Sequence, residues 1–230
     1  MDREFELLKR MKISKGEDYN EIPTRLPNHE LEEFLKKIVV NYSFLFYDNS
    51  QTLEEEIQII IDNIYTLLDV LVRMGVHPGF ILAALVNYNR EKIKNKDRIA
   101  YNNGKKKKDA IFFPYADVRK ELKLMKNLNY TGYNTSLSHH YSDILTINKE
   151  FSLPYSENPV KLNEERKKTY FISMINQRNN AAEADDIIDE SIYIVDLIYT
   201  SICLLVEMGI NPDKIIINKI IEESEKGKGL

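Results

Sequence analysis

The chain of 230 residues is predicted to be all-α, built from two copies of one helical unit. Two observations carry this expectation. The chain repeats itself: Asp62-Asn63-Ile64-Tyr65-Thr66 and, further on, Met74-Gly75-Val76-His77-Pro78 return as Asp196-Leu197-Ile198-Tyr199-Thr200 and Met208-Gly209-Ile210-Asn211-Pro212, both displaced by 134 residues. Upstream, Tyr19, Glu21, Pro23 and Leu26 return as Tyr155, Glu157, Pro159 and Leu162 at a displacement of 136, a two-residue loop change. A unit present twice in one chain can pack on itself as a dimer would, so a site between units forms within one polypeptide. Apolar residues also recur at helical spacing, whereas Ile111-Phe112-Phe113 is the only short apolar run bounded by turn residues.

The elements follow in order. With Asn28 as its cap, the stretch Glu30 to Tyr47 carries Leu31, Phe34, Leu35, Ile38, Val39, Tyr42, Leu45 and Phe46 at helical spacing. Asp48-Asn49-Ser50 breaks it. Thr52 opens a second helix, Glu55 completes a capping box, and Gly75 ends the helix after Met74. Pro78 stands in the first turn of a third helix reaching about Lys94. The second copy repeats the plan as Leu162 to Gln177, Glu183 to Met208 and Pro212 to about Lys226. Between the copies, Asn95 to Pro114 is polar and holds the basic run Lys105 to Lys108; a helix is expected over Tyr115 to Asn127 and a shorter one over Tyr141 to Phe151. This divides the chain into a first unit (1–94), a connecting loop and helix (95–137) and a second unit (138–230).

Composition narrows the function. With 43% hydrophobic and 30% charged residues and a net charge of −4, the chain offers no basic field for nucleic acid. Asp62, Asp69, Asp189, Glu190 and Asp196 interrupt the longest apolar stretches, so no membrane span is expected. The chain opens on charged Asp2, Arg3 and Glu4 without an apolar signal segment, which points to the cytoplasm. Lone Cys203, among Ile202, Leu204 and Leu205, reads as core packing. His139-His140 has no ligand at metal spacing nearby and reads as capping or surface.

Several segments together resemble the all-α nucleoside triphosphate pyrophosphatases, the group containing MazG and phosphoribosyl-ATP pyrophosphohydrolase. Asp62 and the apolar run to Met74-Gly75-Val76 are similar to that family's helix and turn of pattern D-L-L-Y … L-G-I-D. Asn89-Arg90-Glu91-Lys92 is similar to its N-x-x-K. Asn103-Gly104-Lys105-Lys106-Lys107-Lys108 and Phe113-Pro114 resemble the G-K-x-x-K and following proline of a phage and bacterial branch. Asp143 to Phe151, Pro154, Pro159 and Glu165-Arg166 resemble the segment that opens that branch.

The resemblance implies two MazG-like units packed as an intrachain pseudo-dimer bundle. It also implies Mg²⁺ chemistry, because a bound triphosphate is attacked by water at an internal phosphorus and the metal needs several carboxylate oxygens. The family draws these from an E-x-x-E on the first helix and from acids on the second. Asp62 and Asp196 match the characteristic second-helix acid; Glu55 and Asp189, two turns earlier, match another. The first-helix acids are missing: the corresponding stretches read Asn41-Tyr42-Ser43-Phe44-Leu45 and Asn176-Gln177-Arg178-Asn179-Asn180. Glu30 and Glu33 form an E-x-x-E at the wrong end of the helix, and the second N-x-x-K has become Glu223-Ser224-Glu225-Lys226.

The expected site therefore has Glu55 and Asp62 as the remaining Mg²⁺ ligands, with Asn89, Lys92, Lys105, Lys108 and Asp196 as nucleotide or phosphate contacts. The blander reading pairs Asp62 and Asp196 with a Lys, Arg or Tyr at the interface between copies, and leaves the lysines as a solvated run. The favoured expectation is a nucleotide-binding protein with an eroded metal site that sequesters a nucleotide or nucleotide-derived signal. The alternatives are an active Mg²⁺-dependent pyrophosphohydrolase yielding nucleoside monophosphate and pyrophosphate, and a helical protein-interaction module. The expected partner is a nucleotide-derived small molecule, with no nucleic acid and no membrane; a homo-oligomer remains open, since a pseudo-dimer can pair again.

Overall fold

In the computed structural model, residues 1–47, 51–102 and 135–226 are described, and these form eight α-helices and no strand. They are α1 (Asp2–Lys15), α2 (Asn28–Tyr47), α3 (Leu53–Met74), α4 (Pro78–Asn102), α5 (Leu137–Glu150), α6 (Glu164–Ala182), α7 (Ile187–Glu207) and α8 (Asp213–Glu225). The all-α expectation holds. Several expectations are corrected. Helix α6 runs on past Gln177 to Ala182, and α7 starts at Ile187 and not at Glu183. Helix α1 was not anticipated, because its buried stripe of Phe5, Leu8 and Met11 is short and set among charges. Helix α4 runs on to Asn102, through a stretch whose polar composition read as a loop. Helix α5 starts at Leu137 because Ser136 caps it, its hydroxyl accepting from the His139 amide at 3.2 Å. The helix expected over Tyr115 to Asn127 and the run Lys105 to Lys108 lie outside the described residues.

Local signals account for the ends of the long helices. Thr52 and Glu55 form the expected capping box, the Glu55 amide donating to Oγ1 at 3.2 Å and the Thr52 amide to the Glu55 carboxylate at 2.6 Å. Asp186 caps α7 by accepting from the amides of Ile188 and Asp189 at 3.0 Å. Gly75 and Gly209 turn the chain with φ of 67° and 69°, the left-handed region that favours glycine. A Cβ at Gly75 would stand 2.8 Å from the Asn20 carbonyl oxygen, and one at Gly209 2.5 Å from that of Asn158.

Those close approaches arise because the same connection lies across the same helix end in each half. Asn20 and Thr24 donate their amides to the carbonyls of Val72 (3.3 Å) and Met74 (2.8 Å). Ser156 and Val160 do so to Val206 (3.2 Å) and Met208 (3.0 Å). A second correspondence is inverted in charge. Arg73 on α3 sits 3.8 Å from Glu30 and over the Phe34 ring on α2. At the matching place Glu207 on α7 accepts from the Arg166 Nε at 2.9 Å and from the Tyr170 hydroxyl at 2.6 Å, while Arg166 lies over that tyrosine ring on α6.

The centre is made by α2 and α3 against α6 and α7, with α3 touching α7 and α2 touching α6. The last helix of each half crosses over: α4 packs on α5 and α7, and α8 packs on α1 and α3. Helix α7 is the one described helix long and apolar enough to cross a membrane, and 83% of that stretch is buried inside the bundle. Burial on all sides is what an almost uniformly apolar helix requires in such a core. Polar bonds also cross the central seam. The Tyr42 hydroxyl and Ser201 Oγ lie 2.5 Å apart, Arg25 Nε donates to Glu190 at 2.7 Å, and Lys167 Nζ to Glu56 at 2.7 Å.

Candidate functional site

The sequence directs attention to the aspartate near the middle of each central helix. Helix α3 presents Asp62 at the surface of the bundle where α8 crosses it. One carboxylate oxygen lies 2.8 Å from Lys219 Nζ on α8 and also accepts from Gln58 Nε2 at 2.8 Å. Lys219 is shared with Glu223 at 3.1 Å, and Glu223 is 2.8 Å from Lys226. Burial draws the Lys219 ammonium pKa down, but its bonds to Asp62 and Glu223 outweigh this and leave it raised. Glu223 is held below its ordinary value chiefly by the Lys226 contact. Acid and base alternate around this corner, so its charges are neutralised within the protein.

Asp196, the counterpart on α7, is buried, with 5% of its surface exposed. Gln177 on α6 donates Nε2 to its Oδ2 at 2.7 Å and to Thr200 Oγ1 at 2.8 Å. Gln177 stands where the resemblance calls for a first-helix acid. In the other half that place is held by Asn41, whose Nδ2 donates to Oδ1 of buried Asn63 at 2.9 Å. A carboxylate facing a carboxylate would demand a cation between them; an amide facing a carboxylate or an amide joins the helices directly.

The two groups of expected contacts do not come together as one set. Asp62 is met by α8, whereas Asn89 and Lys92 ride on α4, which packs on α7, the helix of Asp196. The exchange of last helices is the reason. Asn89 turns its amide back to the Leu85 carbonyl at 3.0 Å, and Lys92 is exposed with no ion-pair partner among the described residues. Glu55 is exposed and engaged in the capping box of α3. Lys105 and Lys108 lie outside the described residues.

These surroundings fit Mg²⁺ poorly. A divalent ion at Asp62 would face the Lys219 ammonium, and one at Asp196 would have to displace the Gln177 amide. Among the described residues no group of three or more His, Cys, Asp or Glu side chains is arranged to hold a metal.

Several partners escaped the sequence reading. Lys219 has Leu85 at its matching position, so the repeat pattern did not flag it. Glu56 and Glu190 are separated by 134 residues, and Arg25 and Lys161 by 136, so both pairs repeat in type. Each glutamate meets the basic residue of the other half, Glu190 with Arg25 at 2.7 Å and Glu56 with Lys161 at 3.9 Å. Those matches were a readable signal. Asp69, whose counterpart 134 residues on is Cys203, is tied to Lys12 on α1 at 2.5 Å and to Arg73 at 3.1 Å. The Cys203 thiol is pushed up to about 12 by burial, consistent with packing.

Compared with protein-family models, with curated proteins and with solved structures, the chain matches none.

Proposed function

We propose that this chain is two pyrophosphohydrolase-like helical units joined as an intrachain pseudo-dimer, which binds a nucleotide or nucleotide-derived anion without hydrolysing it. The observation that carries the reading is the Gln177 amide bound to Asp196 at 2.7 Å, at the place where a hydrolase of this type would set a second carboxylate and a metal. The Lys219 ammonium on Asp62 has the same effect in the other half. The recurring loop-to-helix hydrogen bonds and the charge-inverted Glu30/Arg73 and Arg166/Glu207 pairs support common descent of the two units.

Anion binding is expected at the α4 side. Lys92 has no carboxylate partner among the described residues, whereas Lys226 is already paired with Glu223. A phosphate would add a charge-assisted contact at Lys92, and Lys105 and Lys108 follow it in sequence. The soluble bundle would act in the cytoplasm, free of nucleic acid and membrane.

A thermal-shift screen over nucleotides with and without Mg²⁺ tests the reading, because a ligand that binds only the folded state raises its stability. A nucleotide that stabilises the protein without Mg²⁺ and is recovered intact supports it. Pyrophosphate release abolished by Asp62→Asn would establish the active hydrolase instead. If no nucleotide binds, the interaction module is the better account. For a ligand so found, Lys92→Ala should weaken binding by about one to two orders of magnitude, and Lys226→Ala much less. Equal losses by calorimetry would refute the asymmetry.

A further inference from the structure

A groove enclosing about 680 Å³ opens at the surface between α1 and α8. The two helices run side by side in one direction. Arg3 lies 3.8 Å from Asp213 near their start, and Lys15 Nζ donates to the Glu223 carbonyl at 2.5 Å near their end. From Arg3 to Lys15 the helix rises about 18 Å, which is the length of the channel. Asp2 and His77 also border it but are almost fully covered, each 6% exposed. What a partner can reach is the row Arg3, Leu7 and Arg10 on α1 and the pair Ile217 and Ile221 on α8. None of Asp62, Asp196, Asn89 and Lys92 borders the groove, so it stands independently of the anion site.

The same positions border a groove in the other half, with different chemistry. Counting 136 residues on from α1 and 134 back from α8, Leu7, Arg10 and Ile221 correspond to Asp143, Thr146 and Asn87. All three line the groove between α4 and α5, which encloses about 130 Å³ and is polar. Arg90 on α4 is tied to Glu150 on α5 at 2.7 Å. A wide apolar groove is therefore no requirement of how these helices pack. Ile221 is 45% exposed, and an apolar residue left in water where the other half holds an asparagine forgoes the gain from burial. Apolar surface rimmed by charge in this way marks an interaction site.

Spacing and charge decide what fits. Residues 3, 7 and 10 are four and three apart and share one face of α1, as 217 and 221 share one face of α8. An apolar channel between two helices suits a third helix, whose own apolar residues recur every three or four positions. The charge at the edge is basic. Glu6 is drawn to His77, its carboxylate 3.4 Å from Nε2, while Arg10 is exposed with no ion-pair partner among the described residues. Arg3 and Arg10 are two turns, about 10 Å, apart, so carboxylates two turns apart on an incoming helix match them. A bilayer would meet the ridges of α1 and α8 ahead of the channel between them, and a second copy offering the same groove would set channel against channel.

We propose that the groove between α1 and α8 is a docking site for an acidic amphipathic helix of another protein, its apolar face on Leu7, Ile217 and Ile221 and its carboxylates on Arg3 and Arg10. The probe is a synthetic helix of about sixteen residues, with leucine at every third or fourth position and glutamate between. It is titrated into the full chain carrying isotope-labelled isoleucine methyl groups. The Ile217 and Ile221 methyl resonances should shift together, and the same peptide with lysine in place of glutamate should bind at least about tenfold more weakly. Ile221→Asn should weaken the glutamate peptide by about tenfold or more, and Arg10→Thr by about two- to fivefold, both with the circular dichroism of the parent. Ile172→Asn, at an isoleucine 61% exposed on α6, should leave binding unchanged. The proposal is overturned if the two methyl resonances stay unmoved, if the lysine peptide binds as well as the glutamate peptide, or if Ile172→Asn weakens binding as much as Ile221→Asn. It also falls if phosphatidylglycerol vesicles move those resonances and the peptide does not, since the groove would then serve a membrane. Self-association of the chain in sedimentation, abolished by Ile221→Asn, would overturn it in favour of a second copy.

Discussion

Glu56 and Lys167 are 1% and 3% exposed, so their 2.7 Å contact across the centre of the bundle is an ion pair withdrawn from water. Breaking it differs from never having it. Lys167→Ala should cost about 3–5 kcal/mol in urea denaturation, because it strands a buried carboxylate. Replacing both members by leucine should cost much less, and equal losses would show the pair to be weakly desolvated. Glu190 behaves differently. Burial raises its pKa above the ordinary 4.5, and Arg25 only partly offsets this. The folded carboxyl therefore holds its proton more tightly than the unfolded one, so its contribution is favourable below 4.5 and is lost as pH rises through the folded value. Glu190→Gln should accordingly gain in stability relative to the parent as pH climbs from acid toward neutral; a gap that narrows would contradict this. At this scale the sequence was half readable. Asp62 and Asp196 stood out as acids on apolar helices, but the donors that meet them, Lys219 and Gln177, come from other helices and carry no local signature.

Helix ends were the most legible elements, since a cap is written within four residues. Thr52→Ala should lower stability by about 1 kcal/mol through loss of the capping box, measured by thermal unfolding. Gly75→Ala should cost more, at least about 1–3 kcal/mol, because φ of 67° is unfavourable for alanine and its methyl group would press on the Asn20 carbonyl. A smaller loss would mean that the crossing loop moves aside. Helix α1 was missed for the converse reason: its order comes from burial against α3, α4 and α8 rather than from a strong pattern of its own. The crossing of α4 and α8 was equally invisible, since periodicity reports which face of a helix is apolar and leaves open which half supplies the opposing surface.

At the scale of the molecule, each half lends the other its final helix. The connecting stretch between Asn102 and Thr135 is thus the only covalent bridge between two bodies that already clasp one another. Severing it should not separate them. A site-specific protease sequence introduced after Gly104, once cleaved, should yield two fragments that travel as one species in gel filtration and part only in denaturant. Early separation under native conditions would mean that the bridge, and not the clasp, holds the halves together. Were the two halves descended from one unit, the molecule would be a permanent dimer with one covalent tie. Its two faces could then diverge freely, because neither would have to recognise a copy of itself; Cys203 at the position matching Asp69 and the inverted Glu30/Arg73 and Arg166/Glu207 pairs are differences that such freedom would allow.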